Sequence, residues 1–448
     1  MTPHQPQIPA WRVLALAVPA LGVLAAEPLY LLVDTAVVGR LGAVALAALA
    51  VGGVVLVQVS SQLTFLSYGT TARAARLYGS GQHAAAVAEG AQASWLALGI
   101  GAVVLLTGQL AAGPVVTLLA GPGPVADAAL GWLRIALFGA PFVLVTLAGN
   151  GWMRGVQDTA RPLRYVLVGN GISALLCPVL VHGAGPVAGL GLPGSAVANV
   201  VAQVLAAGLF LRALATEPAT HRAPSWPAMR AQLGMGCDLV LRAAAFQACF
   251  LSATSVAART SAATAGAHQI VLQLWSFLAL VLDSLAIAAQ SLVGAALGSG
   301  DARGARSLAW QVTRYGLAFG IALGVVFAAV EPVLPQVFTS DGAVLAQVPH
   351  AWWFFVALQP VAGVVFALDG VLLGAADAAF LRTATLVSAL VGFLPVLWVS
   401  FWLGWGLIGI WSGLAVFMLL RLVFVVARTR STRWAVTGAV RRPGRITP

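Results

Sequence analysis

Apolar positions along this chain come in long unbroken runs, and the polar ones gather in short stretches between them. Twelve runs are long enough to cross a bilayer as helices, near residues 13–38, 44–77, 85–112, 125–153, 163–183, 191–213, 235–257, 263–296, 306–331, 345–374, 381–402 and 406–427. The second, eighth and tenth exceed the roughly 20 residues a bilayer requires, so they are expected to tilt or project beyond it. The pattern predicts an all-α polytopic membrane protein of twelve transmembrane helices.

The stretches between runs alternate in charge. Those after the second, fourth, sixth, eighth and tenth runs hold Arg73 and Arg76, then Arg154, Arg161 and Arg164, then Arg212, Arg222 and Arg230, then Arg303 and Arg306, then Arg382. The other set holds only Arg40 and Arg259. Basic loops stay in the cytoplasm. Both termini are therefore expected there, in a multi-pass protein of the cell (inner) membrane. The tail adds Arg428, Arg430, Arg433, Arg441, Arg442 and Arg445, and reads as a contact for lipid headgroups.

Sliding the chain along itself until Arg40 meets Arg259 also aligns, without a gap, Pro141 with Pro360, Gly155 with Gly374, Asp158 with Asp377 and Gly194 with Gly413. It superimposes the G-S-G segments at 79–81 and 298–300 as well. Alanines coincide by chance in so apolar a chain; punctuation residues seldom do. The chain thus reads as two lobes of six spans. Six is even, so the lobes share an orientation, and the repeat is parallel with its pseudo-two-fold axis along the membrane normal. The expected division is an N-terminal lobe (1–213), a polar cytoplasmic linker (214–232), a C-terminal lobe (233–427) and a basic tail (428–448). Two equivalent bundles suit alternating access better than a channel or a membrane-embedded enzyme.

Composition narrows the class further. The chain has 448 residues, 60% hydrophobic and 8% charged, with a mean hydropathy of +0.94, which no soluble domain shows. Its net charge of +11 comes from arginines whose placement marks topology, so no nucleic-acid partner is expected. Cys177, Cys237 and Cys249 lack C-x-x-C spacing, and the six histidines include no H-x-x-x-H pair. Neither a metal nor another cofactor is expected. His268 stands alone within its span, so the chain does not read as a hydrolase.

Carboxylates inside spans are the chemistry that remains. Glu27, Tyr30 and Asp34 lie along one face of the first helix, because seven residues make two turns. An ionised acid in lipid is costly and usually faces a bundle interior or a water-filled cavity. A first span with two buried acids, hinged at Pro28 and Pro19, points to a proton or cation site. The repeat maps Glu27 onto Phe246, Asp34 onto Ala253, Asp283 onto Thr64 and Asp369 onto Asn150, so the lobes differ where chemistry is sought. Asp238, four residues before Arg242, reads as a helix salt bridge, and Asp158 and Asp377 as caps of the next helices. Asn150, Asn170, Gln58 and Gln62 either line a cavity or join helices by hydrogen bonds. Only Arg134 and Arg242 are expected near span interiors.

The segments E-P-L-Y-L-L-V-D-T-A-V-V-G-R-L-G (27–42) and F-L-S-Y-G-T-T-A-R-A-A-R-L-Y-G (65–79) closely resemble the multidrug and toxic compound extrusion (MATE) family, DinF-type branch. Further matches are R-G-V-Q-D-T-A-R-P (154–162), A-G-A-H-Q-I (265–270), D-S-L-A-I-A-A-Q-S-L-V-G (283–294) and F-A-L-D-G-V-L-L-G (366–374). The resemblance implies export of amphipathic, often cationic compounds, driven by H⁺ or Na⁺. It makes Asp34 the first-span protonation aspartate, with Glu27 beside it. Asp369 matches the tenth-span aspartate of the NorM-type branch, but its partner glutamate falls at about Phe246, an incomplete site that favours H⁺. Archaeal relatives carry an asparagine and an aspartate where this chain has Ser173 and Cys177 before Pro178. Their first-lobe network is therefore not expected intact. The alternatives are a Na⁺-coupled exporter and a lipid-linked flippase of the wider superfamily. Expected partners are small amphipathic solutes and membrane lipids, with the protein a monomer.

Overall fold

A computed structural model describes residues 9–184 and 187–439. The first half folds into α1 (Ala10–Gly39), α2 (Ala43–Gln62), α3 (Phe65–Gly79), α4 (His83–Ala120), α5 (Pro124–Ala136), α6 (Ala140–Gly155), α7 (Ala160–His182) and α8 (Leu192–Thr216). The second half gives α9 (Trp226–Thr260), α10 (Ala262–Gly298), α11 (Ala302–Val330), α12 (Leu334–Phe338), α13 (Gly342–Gly374), α14 (Ala378–Val387), α15 (Leu394–Leu403) and α16 (Gly406–Arg430). All twelve predicted spans are present among the described residues. Between α7 and α8 lies a two-residue antiparallel ribbon, Gly183–Ala184 with Val187–Ala188.

Breaks within spans follow local chemistry. The second span divides at 63–64 into α2 and α3, and the fourth at the 3₁₀ turn Leu137–Gly139, just ahead of Pro141. A π-helical turn, Ser388–Phe393, separates α14 from α15. In contrast, α1 stays one helix through Pro19 and Pro28. Two helices outrun their predicted ends the furthest. One is α4, which continues through Pro114 to Ala120; the other is α9, which starts at Trp226 rather than 235. Arg73 and Arg76 lie inside α3 and Arg154 inside α6, not in loops, because nothing stops either helix until Ser80 and Val156.

The internal repeat is written into the backbone. Gln157 and Ala376 are the non-glycine residues with positive φ among those described, at 63° and 56°, and they are repeat equivalents. Helix contacts repeat as well. A Cβ on Gly151 would collide with the carbonyl oxygen of Ser67, and one on Gly370 with that of Ala286, the equivalent atom. Only glycine lets α6 press so closely on α3, and α13 on α10.

Packing divides the described chain into two compact units, Val18–Gly236 and the residues up to Ala17 together with those from Cys237 onward. The divisions fall within α1 and α9, where Val18 and Cys237 are repeat equivalents. In the first unit α6 packs on α3, α4 and α8, while α7 packs on α8. In the second, α13 is central, against α10, α11 and α16. Leu110, Leu118 and Val337 are among many exposed apolar side chains, as lipid-facing surfaces require.

The linker is shorter than the predicted 214–232, since α8 runs to Thr216 and α9 begins at Trp226. It is fastened to α4. The Gln92 side chain donates to the Ala223 carbonyl (2.8 Å) and accepts from the Ser225 N–H (2.7 Å), and the Trp95 indole donates to the Arg222 carbonyl (2.9 Å). In the tail, Trp434 is fully buried and the Gly438 N–H donates to the Leu297 carbonyl (2.9 Å). Arg441, Arg442 and Arg445 lie outside the described residues.

Candidate functional site

In the first unit the carboxylate of Asp34 is buried, 2% exposed, and no described residue forms an ion pair with it. The Cys177 thiol of α7 donates to its Oδ1 (3.2 Å). Ser195 of α8 stands beside it, fully buried. The Trp132 indole donates to the Ser195 hydroxyl oxygen (2.8 Å). An indole N–H only donates, so the hydroxyl hydrogen of Ser195 stays free to point at Asp34. Tyr30, one turn before Asp34, is buried with its hydroxyl unpaired, and Ser173 and Asn199 are the polar groups around it. The site is an acid surrounded by a thiol and hydroxyls.

Glu27 does not share this burial. The first helix leaves 27–29 accessible while it covers Tyr30 and Asp34. Seven residues fall short of two turns by about 20°, and near Asp34 the helix packs through Val37 on Cys177 and Val181 of α7 and Ala198 of α8. Asn150 is buried with its Oδ1 unpaired, Asn170 and Gln62 are half-buried, and Gln58 is exposed. Asp283, in the second unit, is half-buried.

Asp369 is held quite differently. Arg242 of α9 and Arg421 of α16 both donate to its Oδ2, at 2.6 and 2.5 Å. The predicted Asp238–Arg242 salt bridge is therefore overturned. Arg242 turns to Asp369, and Asp238 pairs across helices with Arg382 (2.5 Å). A charge inside a bundle is better met by a buried partner on a facing helix than by an exposed one along its own. Phe246, at the position expected of a glutamate, lies under the Arg421 guanidinium, 4.7 Å from its ring centre. The partners explain the repeat's asymmetry. Val23 and Ala202 stand where the other lobe has Arg242 and Arg421, so Asn150 keeps an unmet oxygen where Asp369 is clamped.

Sequence reasoning passed over Arg421, although a lone arginine in F-M-L-L-R-L-V-F was signal enough; Arg134, by contrast, is exposed. Ser195 and Trp132 gave no signal, each being a single residue in an apolar run. His268 is buried against Trp411 (6.2 Å between ring centres), with neither ring nitrogen hydrogen-bonded. Asp158 accepts from the Arg161 N–H (3.0 Å) as a cap should. Asp377 precedes α14 without capping it and accepts from Arg428 (2.8 Å).

The MatE family model matches residues 19–179 and again 239–398. Its two matches end at Val179 and Trp398, which are equivalent positions of the internal repeat. Protein DETOXIFICATION 44, chloroplastic, of Arabidopsis thaliana is 34% identical over 94% of this chain and 83% of its own length. DNA damage-inducible protein F of Escherichia coli (strain K12) is 29% identical over 88% of this chain and 86% of its own. Among solved structures, the Vibrio cholerae MATE transporter VcmN in the bent form shares the fold, with a TM-score of 0.86, 18% identity and coverage of 95% and 98% of the two chains. Twelve spans, a doubled family match and these relatives lead to one conclusion: the chain belongs to the MATE family of multidrug and toxic compound efflux transporters.

Proposed function

We propose that this protein is a proton-coupled antiporter that exports amphipathic, cationic compounds across the cell membrane by alternating access, with both termini in the cytoplasm. Asp34 is the coupling group. The observation that carries the reading is the contrast between the two acids. Asp34 is buried with only a thiol and hydroxyls around it, whereas Asp369 is neutralised by two arginines. Thiols and hydroxyls can donate to a carboxylate and accept from a carboxylic acid, so they accommodate Asp34 in both protonation states. An acid clamped by two guanidinium groups has no such freedom. A Na⁺ site built around Asp369 would have to displace both.

In this scheme a proton arriving from outside neutralises Asp34 and releases the cation, and loss of the proton to the cytoplasm restores the hold. One proton against one monovalent cation is electroneutral. The pH gradient alone then drives export, at about 1.4 kcal/mol per unit. A second proton, with Glu27 as its carrier, would add the membrane potential, about 2.3 kcal/mol per charge per 100 mV.

The experiment is ethidium efflux from proteoliposomes under an imposed pH or Na⁺ gradient. Transport that follows the pH gradient and is abolished by Asp34→Asn supports the reading. If Na⁺ drives transport, and Asp369→Asn rather than Asp34→Asn abolishes it, coupling lies in the second lobe and the proposal falls.

A further inference from the structure

The second unit holds a cluster rich in positive charge. Arg242 and Arg421 converge on one oxygen of Asp369, so two bases face one acid. Oδ1 of Asp369 and the Nε atoms of both arginines are buried without partners. Asp369 lies five residues before the end of α13, roughly 8 Å from it along the helix. Arg421 is 1% exposed, and a net charge held so far from water costs several kcal/mol unless something opposes it. The ring of Phe246 lies 4.7 Å from the Arg421 guanidinium and 5.7 Å from that of Arg242, and Phe417 lies 5.9 Å from Arg421; these rings offset part of the cost. The rest calls for an anion.

Geometry narrows the anion's type. Guanidinium groups present planar forks that match a carboxylate in two parallel hydrogen bonds. Arg242 is the open side of the cluster, its side chain 16% exposed, and half-buried Phe246 stands beside it. An inorganic anion would use the charge but not the aromatic wall. We propose that Arg242 and Arg421 form a subsite for the carboxylate of an amphipathic organic solute, whose apolar body lies along Phe246. Asp369 is its internal competitor, holding the arginines in place when the solute is absent. This is a statement about binding, and it stands whether or not Asp34 carries the coupling proton.

The test is calorimetric binding of 2-naphthoate to the full-length protein in phosphatidylcholine nanodiscs, with 2-naphthamide as the uncharged control. Naphthoate is expected to bind about tenfold or more tightly than the amide, a difference of about 1.4 kcal/mol. Arg242→Gln should erase that preference, and Asp369→Asn, by removing the competitor, should tighten naphthoate binding about tenfold. A merely structural cluster would give losses in both variants. Should Asp369→Asn fail to fold, Arg242→Lys keeps the charge but loses the fork, and is expected to retain only part of the preference. Equal binding of acid and amide would overturn the proposal, as would weaker binding in a folded Asp369→Asn protein. Loss of naphthoate binding when phosphatidylglycerol replaces half of the lipid would assign the subsite to a lipid headgroup and overturn the solute assignment.

Discussion

Asp34 and Asp369 are the same residue type in the same kind of span, yet their neighbours give them opposite surroundings. Around Asp34 the thiol of Cys177 is the direct hydrogen-bond donor. Cys177→Ser keeps a donor of similar size and should keep pH-driven efflux near the wild-type rate. Cys177→Val fills the space without donating. It should slow efflux about tenfold, a size in keeping with the loss of one hydrogen bond to a charged group. Efflux measured across a pH series checks both variants. Equal rates for Val and Ser would mean that the thiol only packs. At this scale the sequence singled out acids within spans and said little about their surroundings. E-P-L-Y-L-L-V-D marked Asp34, but Cys177 lies 143 residues away and Ser195 further still.

Helix-to-helix contacts set the next level. Because a Cβ at Gly370 would strike the backbone carbonyl of Ala286, Gly370→Ala must push α13 off α10. A cost of about 1–3 kcal/mol is expected, read as a lower Tm in detergent. Gly53, which faces open space, should tolerate alanine without that loss. A polar knot joins α7 to the end of α8. Arg161 donates to Glu217 (2.7 Å), His83 approaches the same carboxylate (3.3 Å), and Arg161 also pairs with Asp158. Burial would raise the pKa of Glu217, but hydrogen bonds from Arg161 and His83, with their charges, outweigh it and hold the carboxylate below its ordinary value. A depressed pKa contributes stability above the unfolded value, near 4, and that stability is lost as pH falls through the folded one. Wild type should therefore lose Tm between about pH 5 and about pH 3 more steeply than Glu217→Gln. Parallel slopes would deny the knot a part in stability. Single helices were legible from hydrophobic runs. The break at 63–64 was not, because no glycine or proline marks it, and the π-helical turn at 388–393 was not, because it lies inside an apolar run.

For the whole molecule, the repeat is what organises everything else. It was visible in punctuation residues, and the structure repeats it in positive φ at Gln157 and Ala376 and in paired glycine contacts. Orientation belongs to this scale too. With Cys237 replaced by Ala, a cysteine introduced at exposed Arg303, at the start of α11, should react with a membrane-impermeant thiol reagent only from the cytoplasmic side. Labelling from outside would invert the topology.

What the sequence determined by itself is whatever rests on the cost of placing groups in lipid. Span number and the alternation of arginines follow from that cost, which acts on each segment separately, and the doubling of the six-span lobe is written in the spacing of the punctuation residues. Tertiary structure alone decided the pairing of charges. Arg242 preferred Asp369 on a facing helix to Asp238 on its own, buried Arg421 joined the same oxygen, and Asp34 came under Cys177 while Glu27 stayed accessible. The reason is physical. Burial and counter-charge arise only where helices distant in sequence come together, and a small difference in helical phase and height separates a covered carboxylate from an exposed one.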